Sequence, residues 1–88
     1  MFFYYIFYLN GLIEQWGTVL TDSSGGLTFN LLIHFSNTNY ITIPTMGYSG
    51  DPDPVGYNKD TKTTSSIRLG IDTSAGSGVP IQYKMIGY

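Results

Sequence analysis

Leu27-Thr28-Phe29-Asn30-Leu31-Leu32-Ile33-His34-Phe35 alternates with a period of two. Leu27, Phe29, Leu31, Ile33 and Phe35 fall on one side; Thr28, Asn30, Leu32 and His34 fall on the other. Successive side chains of a strand point to opposite faces, so this pattern is a strand with one face on a core. No window of the chain repeats apolar residues at the i, i+3, i+4, i+7 spacing of an amphipathic helix. On its N-terminal side the stretch is preceded by Asp22-Ser23-Ser24-Gly25-Gly26, a turn in which glycine supplies positive φ and Asp and Ser bond nearby backbone. Before that turn, Leu12 to Leu20 reads as a strand. On the C-terminal side, Ser36 to Asn39 is a turn and Tyr40 to Thr45 a short strand. Pro44 places that strand at an edge, because proline cannot donate to a ladder. Thr63 to Ile71 alternates again, Thr73 to Gly78 is a Gly/Ser loop, and Val79 to Tyr88 is the last strand. The expected fold class is all-β: a small antiparallel β-sandwich of five to six short strands, without internal repeat or interdomain linker.

Eighty-eight residues make one domain, and one so small buries only about 60–65% of the surface its unfolded chain exposes. With no cysteine, neither a disulfide nor a thiolate–metal site supports it. Charged residues are 11% of the chain, against roughly 25% in ordinary domains, while aromatics reach 16%. A surface so thinly charged is covered by sister copies or used to touch a partner. The net charge is −2 and the four cationic side chains, Lys59, Lys62, Arg68 and Lys84, do not cluster. Nucleic-acid binders carry a basic stripe, so that class is excluded. Met1 to Leu9 is strongly apolar, but far shorter than the roughly 20 residues that cross a bilayer, and no membrane insertion is expected. It also lacks the basic start and cleavage site of a signal peptide. It reads as a first strand, or the stub of a longer fibre, that needs a partner to cover it.

Few residues offer covalent chemistry. The only histidine, His34, lies on the polar side of its strand, and no nucleophile elbow is present. Glu14 stands far in sequence from Asp51 and Asp53, so no glycosidase-like carboxylate pair is legible. Asp51-Pro52-Asp53-Pro54 with Asn58 and Asp60 lacks the calcium-loop spacing and its closing Glu. Gly25-Gly26 and Gly76-Ser77-Gly78 are not followed by a helix start or Lys, so neither cradles phosphate. No catalytic residue, metal or cofactor is expected. Trp16, inside a strand, has two readings, a core anchor or an exposed platform for a sugar ring, and the core anchor is preferred. The irregular segment from Met46 to Lys62 is the longest in the chain, and long loops in small domains are commonly functional. It mixes flat rings with groups that bond hydroxyls and amides. Tyr48, Asp51, Asp53, Tyr57 and Asn58 are therefore the candidate receptor-binding residues.

Three phrases carry a family resemblance. Asn10-Gly11-Leu12-Ile13 is followed by Gln15-Trp16-Gly17. Leu27-Thr28-Phe29-Asn30 leads through Phe35-Ser36-Asn37 into Tyr40-Ile41-Thr42-Ile43, and the chain closes on Ile86-Gly87-Tyr88. Their order and spacing over residues 10–88 resemble the C-terminal, receptor-binding tip domain of bacteriophage tail fibres. The last strand departs from that pattern: Ile81-Gln82-Tyr83-Lys84-Met85 has fewer aromatics than the family's. The resemblance implies a tip-like β domain over 10–88, with 1–9 a strand or fibre stub before it. It implies a homotrimer located in the virion and made in the bacterial host cytoplasm. It also implies a bacterial surface glycan or outer-membrane protein as partner, or, alternatively, a structural trimerisation or capping module without receptor contact. No receptor-binding residue is carried over from the family.

Overall fold

The computed structural model describes residues 2–47, 54–72 and 74–88. Seven strands follow one another: β1 (Phe3–Phe7), β2 (Ile13–Leu20), β3 (Gly26–Asn30), β4 (Ile41–Met46), β5 (Gly56–Tyr57), β6 (Ser66–Gly70) and β7 (Pro80–Gly87). They form two antiparallel sheets, a four-stranded sheet A in the order β1-β2-β7-β4 and a three-stranded sheet B in the order β3-β6-β5. The all-β expectation and its sheet pair are thus met. β1 occupies the apolar N-terminal run that reads as a first strand, and one strand exceeds the expected five to six: the two-residue β5 inside the irregular segment.

Sheet A is built on its longest ladder, in which β2 and β7 pair from Ile13↔Gly87 to Leu20↔Pro80. The Asn10-Gly11 turn folds β1 back onto β2. Gly11 has φ +91°, a left-handed conformation that other residues reach only with strain, and Asn10 Oδ1 accepts from Leu12 N at 3.1 Å. β4 takes the opposite edge, where Pro44 is tolerated. At the far end of the β2–β7 ladder, Thr21 ties down the connection that precedes β7. Its hydroxyl donates to Gly76 O at 2.7 Å and accepts from Val79 N at 3.0 Å.

The core lies between the sheets. Sheet A supplies Val19, Ile81, Tyr83 and Met85, sheet B supplies Ile67 and Leu69, and the connection from β3 to β4 adds Leu31, Phe35 and Tyr40. Each such side chain contributes about 1.5–3 kcal/mol by leaving water. The alternation of residues 27–35 is kept in space: Leu31 and Phe35 are buried, Leu27, Phe29 and Ile33 half-buried, and Thr28, Asn30, Leu32 and His34 exposed. The strand itself is shorter than expected and stops at Asn30. Beyond that residue the chain leaves sheet B and crosses to β2. There, buried Gln15 grips the backbone of Ile33, donating from Nε2 to its carbonyl at 2.7 Å and accepting from its N–H at 3.2 Å. One side-chain amide replaces two rungs of ladder.

That grip also fixes the side of Trp16. Ile13, Gln15, Gly17 and Val19 point inward, so Glu14, Trp16 and Thr18 point outward. Trp16 is therefore not the core anchor that its place in a strand suggested; strand parity puts it on the outer face of sheet A.

Two inward tyrosines give the fold an alkaline limit. Burial pushes both Tyr40 and Tyr83 up to about 12, from the ordinary 10. Their contribution to stability is complete below pH 10 and is lost as pH rises through 12, because the unfolded chain releases these protons first. Of the eight tyrosines, these two are expected to ionise only together with loss of near-ultraviolet circular dichroism in an alkaline titration. Ionisation of all eight with the fold intact would contradict this.

Candidate functional site

Tyr48, Asp51 and Asp53 lie outside the described residues. Tyr57 and Asn58 are placed by β5, whose Tyr57 pairs with Leu69 at the edge of sheet B. Asn58 continues the ladder, donating its N–H to Arg68 O at 2.9 Å. Its side-chain oxygen accepts from Asp60 N at 3.0 Å, which turns the chain away from the sheet.

The turn brings Lys62 back against the core. Its ammonium donates to Tyr40 O at 2.6 Å, stands 4.1 Å from the centre of the Tyr40 ring, and lies 5.2 Å from the centre of the half-exposed Tyr57 ring. Burial lowers its pKa from the ordinary lysine value, while the two ring faces offer the cation partial compensation. Tyr40 is in turn stacked on Phe35 at 4.2 Å and donates its hydroxyl to Thr63 O at 2.7 Å. A core tyrosine, a lysine and a surface tyrosine thus form one column, which holds the described end of the irregular segment. Beside it, Tyr57, Asn58, Gly56, Arg68, Gly70 and Ile71 line a shallow hollow of about 270 Å³. Arg68 donates to Ser24 Oγ at 2.6 Å, and Ser24 in turn bonds Asp22. That hydroxyl bond, more than the charge of Arg68, holds the Asp22 carboxyl below its ordinary range.

A second, larger concavity lies on the outer face of sheet A, where no candidate residue was expected. Register sets rows of side chains across its four strands: Tyr4, Trp16, Lys84 and Ile43 in one, and Ile6, Glu14, Ile86 and Ile41 in the next. The Tyr4 and Trp16 rings stack at 5.7 Å with 16° between planes. Glu14 pairs with Lys84 at 3.2 Å and accepts from the Tyr8 hydroxyl at 2.6 Å. The Tyr8 bond first, then Lys84, hold the Glu14 carboxyl below its ordinary range. The groove measures about 680 Å³. Among the described residues, no three His, Cys, Asp or Glu side chains converge as a metal site would need.

β1 is unusual in both directions. Every residue of it is exposed, from Phe3 at 38% to Phe7 at 58%. One edge pairs with β2 and the other is unpaired among the described residues. Phe3, Tyr5 and Phe7 stand on the same side as Gly17, Gln15 and Ile13, yet nothing of sheet B covers them.

The family model described as "Putative tail fiber protein gp53-like, C-terminal" matches residues 8–88. The chain belongs to this tail-fibre family. Its fold recurs in solved pyocin fibres. The C-terminal part of the P. aeruginosa R2 pyocin fiber superposes with a TM-score of 0.70 at 17% identity, over 90% of this chain and 21% of that one. An N-truncated R2-type pyocin tail fiber gives 0.59 at 23% identity, over 90% and 31%. An N-truncated R1-type pyocin tail fiber gives 0.58 at 19% identity, over 100% and 87%. This tail-fibre domain thus spans a third or less of the two R2 fibre chains. No curated protein matches the sequence.

Proposed function

We propose that this domain is the host-recognition tip of a phage or prophage tail fibre. It works as a homotrimer in the virion and binds a bacterial surface glycan or outer-membrane protein by side-chain contacts, without covalent chemistry. Membership of the tail-fibre family supports the setting. The observation that carries the assembly is β1, an apolar strand with an open edge and a bare aromatic side. Left in water, such an edge is an aggregation site; a sister copy against Phe3, Tyr5 and Phe7 removes it. Three linked copies then multiply a modest affinity for a repetitive cell surface. Tyr57 and Asn58, held by the Lys62 column, with Tyr48, Asp51 and Asp53 of the same segment, are the proposed contacts.

Light scattering at micromolar concentration is expected to give a trimer, and the combined Phe3→Ser, Tyr5→Ser, Phe7→Ser variant a folded or partly folded monomer. A monomeric parent would remove the assembly. Adsorption to host cells is expected to fall about tenfold or more in Tyr57→Ala, as for an exposed aromatic anchor. The other reading, a trimerisation or capping module, draws on the same β1 surface. Undiminished adsorption after replacing residues 46–62 by a Gly/Ser linker would favour it.

A further inference from the structure

The even-numbered side of β1 is not the side that the assembly reading uses. Tyr4 and Ile6 face the groove on the outer face of sheet A, away from Phe3, Tyr5 and Phe7. We propose that this groove is a binding site for a short neutral saccharide, stacked on the Tyr4–Trp16 pair and bonded by Glu14, Lys84 and Gln82.

Size favours a small ligand. At about 680 Å³ the groove falls inside the range of roughly 300–1,000 Å³ typical of small-molecule sites. Its chemistry is divided as a sugar's is. The stacked Tyr4 and Trp16 rings offer a flat apolar wall, suited to the C–H face of a pyranose. The floor carries a carboxylate that accepts, an ammonium that donates, and the exposed amide of Gln82, which does both. Glu14 and Lys84 neutralise one another at 3.2 Å, so the groove offers no net charge, and the complementary ligand is uncharged. An apolar protein surface is a poorer occupant: it would desolvate that ion pair and the Gln82 amide without bonding them. Sugar hydroxyls replace the water they lose. This proposal rests on the recognition reading for its natural ligand, but not on the 46–62 segment.

Trp16 is the only tryptophan, so its emission reports the groove directly. The assembled chain is titrated with maltose, lactose, cellobiose and N,N′-diacetylchitobiose. A saturable change of Trp16 emission in the millimolar range is expected with at least one. Affinity is expected to fall about fivefold in Tyr4→Ala, the loss of one aromatic stack, and to fall in Gln82→Ala, whose exposed position leaves the fold intact. Asn30→Ala, on the other sheet, should bind as the parent does. No saturable change with any of the four sugars overturns the proposal. So does an affinity that Tyr4→Ala and Gln82→Ala both leave unchanged. Dissociation of the trimer by Gln82→Ala would assign the groove to a second copy instead, and overturn it equally. If the sugars fail while adsorption to cells persists and remains sensitive to Tyr57→Ala, the groove falls and the recognition reading stands.

Discussion

Gln15→Leu is expected to destabilise the domain by about 2–4 kcal/mol, although leucine matches glutamine in size and is more apolar. The side chain is 1% exposed, and both ends of its amide are spent on Ile33, which has no strand partner. Leucine removes the donor and the acceptor at once. Ile33 then keeps an N–H and a C=O half-hidden from water, at about 1–3 kcal/mol each where desolvation is full, offset in part by the added apolar surface. Gln15→Glu should be worse near neutral pH: a buried carboxylate can accept from Ile33 N but cannot donate to Ile33 O. Because burial raises a carboxyl pKa, acidification should partly rescue Glu and leave Leu unchanged. Denaturant unfolding at fixed protein concentration reads both, as a lower midpoint at constant slope. A Leu variant as stable as the parent would mean that the amide is dispensable and that apolar packing, with the bonds from Leu31 N to Ser65 O and from Phe35 N to Thr64 O, holds the 31–35 crossing.

The same residue marks where the sequence was legible and where it was not. Alternation in residues 27–35 told correctly which side chains turn inward, because period and burial are local properties. It did not tell that pairing ends at Asn30, because the replacement for the ladder is the side chain of Gln15, 18 positions before Ile33. Trp16 was misplaced for a related reason: its hydrophobicity argued inward, while the parity imposed by Gln15 sent it outward. With Trp16 went the groove on sheet A, which no local pattern announces. The edge position required by Pro44 was legible, since it follows from a single residue's backbone chemistry. β5 was not: two residues carry no period, and only the partners Gly70 and Leu69 define it. The Lys62 column joins residues from three separate stretches, so its geometry appears only after folding.

Gly87→Ala is expected to cost about 3 kcal/mol, a large effect for one methyl group near the end of the chain. A Cβ at this position would stand 2.5 Å from Tyr40 Cβ, 2.9 Å from Tyr40 Cα and 3.2 Å from Phe35 Cδ1. Two of these atoms are backbone or bonded to it, so rotating a side chain does not relieve them; the strand or the Tyr40 segment has to move. Overpacking of this kind typically costs 1–3 kcal/mol and occasionally more. Here the upper end is expected, because Tyr40 is committed four ways: to the Phe35 stack, to Thr63 O, to the Lys62 ammonium through its carbonyl, and to the same ammonium through its ring. The consequence reaches function through Tyr57, whose ring shares that ammonium. In the Ala variant the ring-current shifts of the Lys62 side-chain protons should shrink, and adsorption to cells should weaken at temperatures where the protein is still folded. Gly56→Ala is the control. Among the described residues no atom lies within 4 Å of its would-be Cβ and its φ is not left-handed, so stability should change by no more than about 0.5 kcal/mol. A Gly87→Ala protein with parental stability and unshifted Lys62 protons would show that Tyr40 yields freely, and that the column does not position the segment carrying Tyr57.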